Sequence, residues 1–217
     1  MPSLIIDQDQ TTVLLHHFEN SAASNGLVQN SLVSSGTFAT AYTSIFKKFG
    51  SYSLLINPGA GQTCCLGDYP ATTTFEVNKR FTIDAWVYMF SVGISTSIVE
   101  LGSSGVNTGI WVAPNGITPN LKYLYNGTTY GSSATSLNTW HHVALVRDSD
   151  TNLTFYVDGI SVSTQTIANG TTGGQSTIIG SGNPGIASYA VDEVRVSNVA
   201  KWTANFTPPT AAWDNVR

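Results

Sequence analysis

Apolar and polar residues alternate along this chain with a period of two, the repeat of a β-strand whose successive side chains point to opposite faces. The run Phe81-Thr-Ile-Asp-Ala-Trp-Val-Tyr-Met89 places Phe81, Ile83, Ala85, Val87 and Met89 on one face and Thr82, Asp84, Trp86 and Tyr88 on the other. Both faces carry apolar mass, which predicts a central strand buried on one side and lining a groove on the other. The same rhythm predicts strands at 13–18, 51–56, 97–101, 109–113, 121–125 and 140–147. Further strands follow at 152–157, 160–166, 176–179 and 189–197. Between them stand turn dipeptides. Asp158-Gly159 separates Leu153-Thr-Phe-Tyr-Val157 from Ile160-Ser-Val162, and Asn126-Gly127 follows Tyr123-Leu-Tyr125. Asp-Gly and Asn-Gly are the preferred two-residue hairpin loops. Asn-Gly recurs at 25–26, 115–116 and 169–170. Many short strands with this punctuation predict a two-sheet antiparallel sandwich. One helical turn is expected near Asn198-Val-Ala-Lys-Trp202, capped by Asn198 and stopped by Pro208-Pro209.

Composition sharpens this picture. The chain has 217 residues, of which 10% are charged, against about 25% in an average soluble domain. Ser, Thr, Asn and Gly take the place of the charges, giving a neutral, hydroxyl-rich surface suited to an extracellular or particle-bound setting. The net charge is −4, with nine Lys and Arg scattered along the chain. No basic run answers a phosphate backbone, so nucleic acid is not an expected partner. No apolar run approaches the ~20 residues of a membrane span. The N-terminal residues show no basic region, apolar stretch and cleavage site in series, so no signal peptide is expected. Cys64 and Cys65 are adjacent on an expected strand and point to opposite faces, so they read as two reduced, small apolar residues. Four sequons, at Asn126, Asn152, Asn169 and Asn205, are chance matches in a chain this rich in Asn and Thr. One domain, 1–217, is expected, with its core at about 13–208 and a short arm at each end.

Four segments, taken in order, carry a family resemblance: Leu14-Leu-His-His-Phe-Glu-Asn20; Phe49-Gly-Ser-Tyr-Ser-Leu-Leu55 followed by 81–87; Trp140-His-His-Val-Ala-Leu-Val-Arg-Asp148 followed by 153–159; and Val191-Asp-Glu-Val-Arg-Val196. Together they resemble the laminin G-like branch of the concanavalin A-like lectin/glucanase superfamily. The resemblance implies a jelly-roll β-sandwich. The ending Trp202-Thr-Ala-Asn-Phe-Thr-Pro-Pro209 is similar to endings of bacteriophage and bacterial surface copies of this domain. A virion surface protein, in a capsid decoration or tail component, is therefore the expected setting. The alternatives are a lectin module of a bacterial surface protein and, third, a glycan hydrolase.

The hydrolases of this family carry Glu-x-Asp-x-x-Glu, supplying the paired carboxyls that glycoside cleavage needs. The chain has four Glu, at 19, 76, 100 and 193, and none falls in that pattern. No Gly-x-Ser-x-Gly elbow is present either, and the adjacent pairs His16-His17 and His141-His142 each put one ring on each strand face. The expectation is not an enzyme. A sugar site needs aromatic faces beside amides and hydroxyls. The candidates are Trp111, Tyr123, Tyr125 and Tyr130, with Asn115, Asn120 and Asn126 around them; the alternative is that these rings are core or interface. Trp86 and Trp140 are expected in the core, and Trp202 and Trp213 are expected to pin the tail. Similar proteins often bind a structural calcium, Ca2+, on the convex side. Carried over, its ligands are Asp192, a carbonyl near Glu19 and the Gly50 carbonyl; the alternative is that Asp192 caps backbone amides or pairs with Arg195. Low charge on the sheet edges leads to an expectation of self-association, or of docking on a larger assembly through the apolar arms at Leu4-Ile-Ile6 and Trp213.

Overall fold

The computed structural model describes residues 11–18, 33–34, 40–56, 66–68, 79–93, 95–102, 107–115, 118–168, 177–180 and 187–213. Its strands are β1 (Thr12–His16), β2 (Val33–Ser34), β3 (Thr40–Thr43), β4 (Ser53–Ile56), β5 (Leu66–Asp68), β6 (Phe81–Met89), β7 (Thr96–Leu101) and β8 (Thr108–Asn115). They continue as β9 (Thr118–Tyr125), β10 (Thr128–Ala134), β11 (Trp140–Arg147), β12 (Asn152–Val157), β13 (Ile160–Thr166), β14 (Thr177–Ile179) and β15 (Tyr189–Ser197). Two antiparallel sheets result. The first has eight strands in the order β13-β12-β11-β6-β15-β4-β3, with β1 also on β15; the second has seven in the order β10-β9-β8-β7-β14-β5-β2. Among the described residues there is no helix, and the turn expected near Asn198 is a series of bends. Among the described residues, no helix is long and apolar enough to cross a membrane. Cys64, Cys65 and Glu19 lie outside the described residues.

The core lies between the sheets and follows the alternation. Phe81, Ile83, Ala85, Val87 and Met89 of β6 meet Ile110 and Val112 of β8, Leu121, Tyr123 and Tyr125 of β9, and Val143 and Leu145 of β11. Each fully buried apolar side chain here contributes about 1.5–3 kcal/mol. The Asn126-Gly127 and Asp158-Gly159 turns have positive φ at both positions, 50° and 76° in the first and 51° and 76° in the second. That is the hairpin geometry their sequences call for.

One break in the alternation shapes the outer face of the eight-stranded sheet. In β15, Val191, Val194 and Val196 all face the core, so the apolar spacing is three and then two. A β-bulge between Asp192 and Arg195 absorbs the extra residue, and Glu193 there adopts φ 51°. Asp192 and Glu193 therefore both point outward. The bulge is also where β15 changes neighbours, from β4 at Tyr189–Val191 to β1 at Val194–Ser197.

This outer face is covered by the segment that follows β15. Ala200, Trp202 and Phe206 pack on Ala144, Val146 and Tyr156. Trp202 stacks on Phe206 at 3.9 Å, and the Arg195 guanidinium lies 3.4 Å from the Trp213 ring centroid. The groove expected beside β6 is thus filled by the chain itself. Beneath the strap, Asp84 accepts from Arg195 Nε at 2.9 Å and lies 3.4 Å from His142 Nε2. Trp86 is buried, as expected, but on this outer face, where Lys48 Nζ sits 3.7 Å from its ring. Trp140 is half-buried beside Tyr88, on the same side.

Candidate functional site

With one outer face strapped, the outer face of the seven-stranded sheet is the next place to look for a ligand. Alternation in β8 turns Ile110 and Val112 inward and Trp111 outward. In β9 it turns Leu121, Tyr123 and Tyr125 inward and Asn120 and Lys122 outward. Cross-strand register places Ser97, Trp111, Lys122 and Ser132 in one row across four strands. Asn120 lies in the next row toward one end and Glu100, opposite Gly109, toward the other. The strands come close at that point: a Cβ on Gly109 would sit 2.1 Å from the Val99 carbonyl oxygen.

Trp111 is half-buried and makes no ring–ring contact among the described residues. The Lys122 ammonium lies 5.4 Å from its centroid. Trp111 Nε1 and Asn120 Oδ1 are out of solvent and have no hydrogen-bond partner among the described residues. A donor and an acceptor left this way on one face call for an explanation. Glu100 accepts from Asn107 Nδ2 at 2.8 Å. Burial raises its pKa above the usual carboxylate value, against the Asn107 and Ser97 hydrogen bonds that pull it down. Burial lowers the Lys122 pKa.

The structure corrects two sugar-stacking assignments. Tyr123 and Tyr125 share a face, but it is the core face, and both are fully buried. Tyr123 Oη pairs with Ser163 Oγ at 2.9 Å, and Tyr125 Oη accepts from Arg147 Nη1 at 2.6 Å. These rings join the two sheets and have no free face for a ligand. Tyr130 lies near-parallel to Tyr123 at 6.4 Å, packed against the core. Asn126 forms the β9–β10 turn, where its N–H donates to Thr108 Oγ1. Asn115 is in β8, and its side chain lies outside the described set. Of the expected sugar-site residues, Trp111 and Asn120 come together. Lys122, Glu100 and Asn107, which sequence reasoning passed over, join them.

Of the expected calcium ligands, Asp192 and Gly50 are described, and the carbonyl near Glu19 lies outside the described residues. Asp192 Oδ2 accepts from the backbone N–H groups of Lys48 and Phe49 at 2.9 and 3.2 Å, and Oδ1 accepts from the Glu193 N–H at 2.9 Å. Calcium requires about six to eight oxygen ligands, whereas this carboxylate is met by three N–H donors. Gly50 is exposed, with φ 57°. Among the described residues there is no group of three His, Cys, Asp or Glu able to hold a metal. The arrangement is amide capping, which ties the 48–49 segment to the bulge. Burial, as the largest cause, raises the Asp192 pKa to about 7. Adding EDTA is therefore expected to leave the thermal midpoint unchanged; a chelator-dependent drop that calcium reverses would show a bound ion.

Comparison with known proteins agrees with the architecture. A laminin G family model, described as the concanavalin A-like lectin/glucanases superfamily, matches residues 59–204. No curated protein matches the chain in sequence. Among solved structures, the receptor binding domain of botulinum neurotoxin D superposes with a TM-score of 0.64 at 9% identity, covering 88% of this chain and 50% of that one. The binding domain of Paraclostridial Mosquitocidal Protein 1 gives 0.62 at 14% identity, with 88% and 49% covered. The binding domain of botulinum neurotoxin DC, solved in complex with rat synaptotagmin II, gives 0.63 at 11% identity, with 88% and 49% covered. The chain spans about half the length of these structures, and at such identities the likeness is one of fold. The family match covers more than half of the sequence, and the chain belongs to the concanavalin A-like lectin/glucanases superfamily.

Proposed function

We propose that this chain is a carbohydrate-binding jelly-roll module displayed on a surface, that of a virion in the first instance, with the outer face of the seven-stranded sheet as its glycan site. The observation that carries this reading is the Trp111 row. A half-buried indole without a ring partner, its own Nε1 unsatisfied, stands next to Lys122 and one row from the unsatisfied Asn120 Oδ1. Sugar rings offer C–H faces to an indole and hydroxyls to amides and carboxylates. The other outer face is strapped by residues 200–213, which leaves this one for a ligand. The virion setting is supported by the low-charge, hydroxyl-rich composition and by the ending at 202–209. The cell-surface lectin remains the second reading, favoured by the same face.

A glycan array probed with the purified chain tests the site. Saturable binding to at least one glycan is expected, weakened by about 1–2 kcal/mol, roughly tenfold, in Trp111→Ala. A blank array from a folded chain, or binding indifferent to Trp111→Ala, would remove the proposal. Mass spectrometry of purified particles tests the setting, and absence of the chain from them would leave the cell-surface reading.

A further inference from the structure

At one end of the sandwich, three side chains from three different segments meet. Ser136 lies in the connection between β10 and β11, His141 is the second residue of β11, and Asp158 opens the β12–β13 turn. Ser136 Oγ is 2.9 Å from His141 Nε2. His141 Nδ1 is 2.7 Å from Asp158 Oδ2. The carboxylate is itself fixed, because its Oδ1 accepts from the His142 N–H at 2.9 Å and the Asp158 N–H donates to the His142 carbonyl at 2.8 Å.

A carboxylate at Nδ1 holds the imidazole proton there, so Nε2 presents a lone pair and accepts from the serine hydroxyl. Burial pushes the Asp158 pKa up, but the hydrogen bonds from the His141 ring and the His142 amide bring it below the usual value. Asp158 is therefore the anion that this tautomer needs. His141 is 9% exposed, while Ser136 is open to solvent. The His141–Asp158 bond also holds the β12–β13 turn against β11. That structural task needs no serine, and it leaves unexplained why an exposed hydroxyl points at Nε2.

We propose that Ser136, His141 and Asp158 form a nucleophile–base–orienter triad that hydrolyses short-chain acyl esters. Ser136 Oγ attacks the ester carbonyl carbon as His141 Nε2 takes the hydroxyl proton. The tetrahedral intermediate collapses, the C–O bond to the alcohol breaks, and His141 returns the proton to the departing alkoxide. Water, deprotonated by the same imidazole, then attacks the acyl-serine and releases the carboxylic acid and free Ser136. Ester and water become acid and alcohol, with no other reactant. The N–H groups of Ser136 and Leu137 make no hydrogen bond among the described residues. A serine on an open connection fits a small acyl group on a bulky alcohol better than a long acyl chain. The triad shares no residue with the Trp111 row, so failure of the glycan screen does not bear on it.

The test uses the full chain, a fluorophosphonate probe and p-nitrophenyl acetate. The expected results are a single phosphonyl adduct on Ser136 by peptide mass spectrometry and ester turnover above buffer. Ser136→Ala, at an exposed position, is expected to remove both without moving the melting temperature. His141→Gln is expected to lower the rate by about 10²–10⁴-fold. No adduct on Ser136, or turnover unchanged in folded Ser136→Ala, would overturn the proposal and leave the His141–Asp158 pair as a turn staple.

Discussion

Replacing Asp84 by alanine is expected to cost about 3–5 kcal/mol of folding stability, the largest loss from any polar substitution proposed for this chain. Asp84 is fully buried, as is His142, and Arg195 is 4% exposed. The carboxylate answers the Arg195 guanidinium at 2.9 Å and the His142 imidazole at 3.4 Å. Around them stand the rings of Trp86, Trp202, Phe206 and Trp213. Alanine leaves a guanidinium without its anion under an aromatic cover that keeps water out. The cost therefore reflects an unpaired buried charge, not the strength of the pair. The double variant Asp84→Leu with Arg195→Met should accordingly recover most of the loss, because removing both partners removes the desolvation penalty too. Denaturant unfolding of the parent and the two variants decides this. A single variant within about 1 kcal/mol of the parent would show that water reaches the site.

Gly159→Ala is the second large effect, with an expected loss of about 2–4 kcal/mol. Gly159 has φ 76°, and a Cβ there would stand 1.9 Å from the Phe206 carbonyl oxygen. The obstacle is backbone and cannot rotate away. The strap is tied to this turn, since the Phe206 N–H donates to the Gly159 carbonyl at 2.9 Å and the Ser161 N–H to Asn205 Oδ1 at 2.9 Å. Adding a methyl group pushes the strap off the β12–β13 turn and disturbs Asp158 beside it. Hydrogen exchange should show faster exchange at Phe206 and Ser161 before any change in the core strands. Thermal melting of Gly159→Ala at an unchanged midpoint would mean that the strap contributes little.

Much of the sandwich was legible because its strands obey one rule. The boundaries of β6, β11, β12, β13 and β15 coincide with the alternation. The strand β10 escaped it, since Thr128-Thr-Tyr-Gly-Ser-Ser-Ala134 at a sheet edge is wet on most positions and has no apolar phase to detect. The face proposed for a glycan was half legible. Grouping Tyr123 with Tyr125 was correct, but the same alternation puts Leu121 on their side and Asn120, Lys122 and Trp111 on the other. Which side is core follows from the leucine. The bulge in Val191-Asp-Glu-Val194-Arg-Val196 is also visible in the spacing of its valines. The triad was not legible, because Ser136 has no motif around it. Its link to His141 and Asp158 depends on how a connection, a strand start and a turn converge in space. The calcium expectation at Asp192 came from the family resemblance, which does not carry the N–H groups of Lys48, Phe49 and Glu193 that face this carboxylate.

The position of β15 between β6 and β4 has a kinetic consequence. Its Arg195 reaches an Asp84 that is 111 residues away in sequence, and Ser197 lies beside a Thr12 that is 185 residues away. The middle of the larger sheet therefore cannot close until the last strand exists. On a ribosome adding about 5–20 residues per second, the paired β6 and β11 wait on the order of seconds with an open edge. Loop closure over such separations makes folding slow. Slower synthesis at low temperature, or a chaperone that shields strand edges, should raise the yield of folded chain more than any change to the finished core.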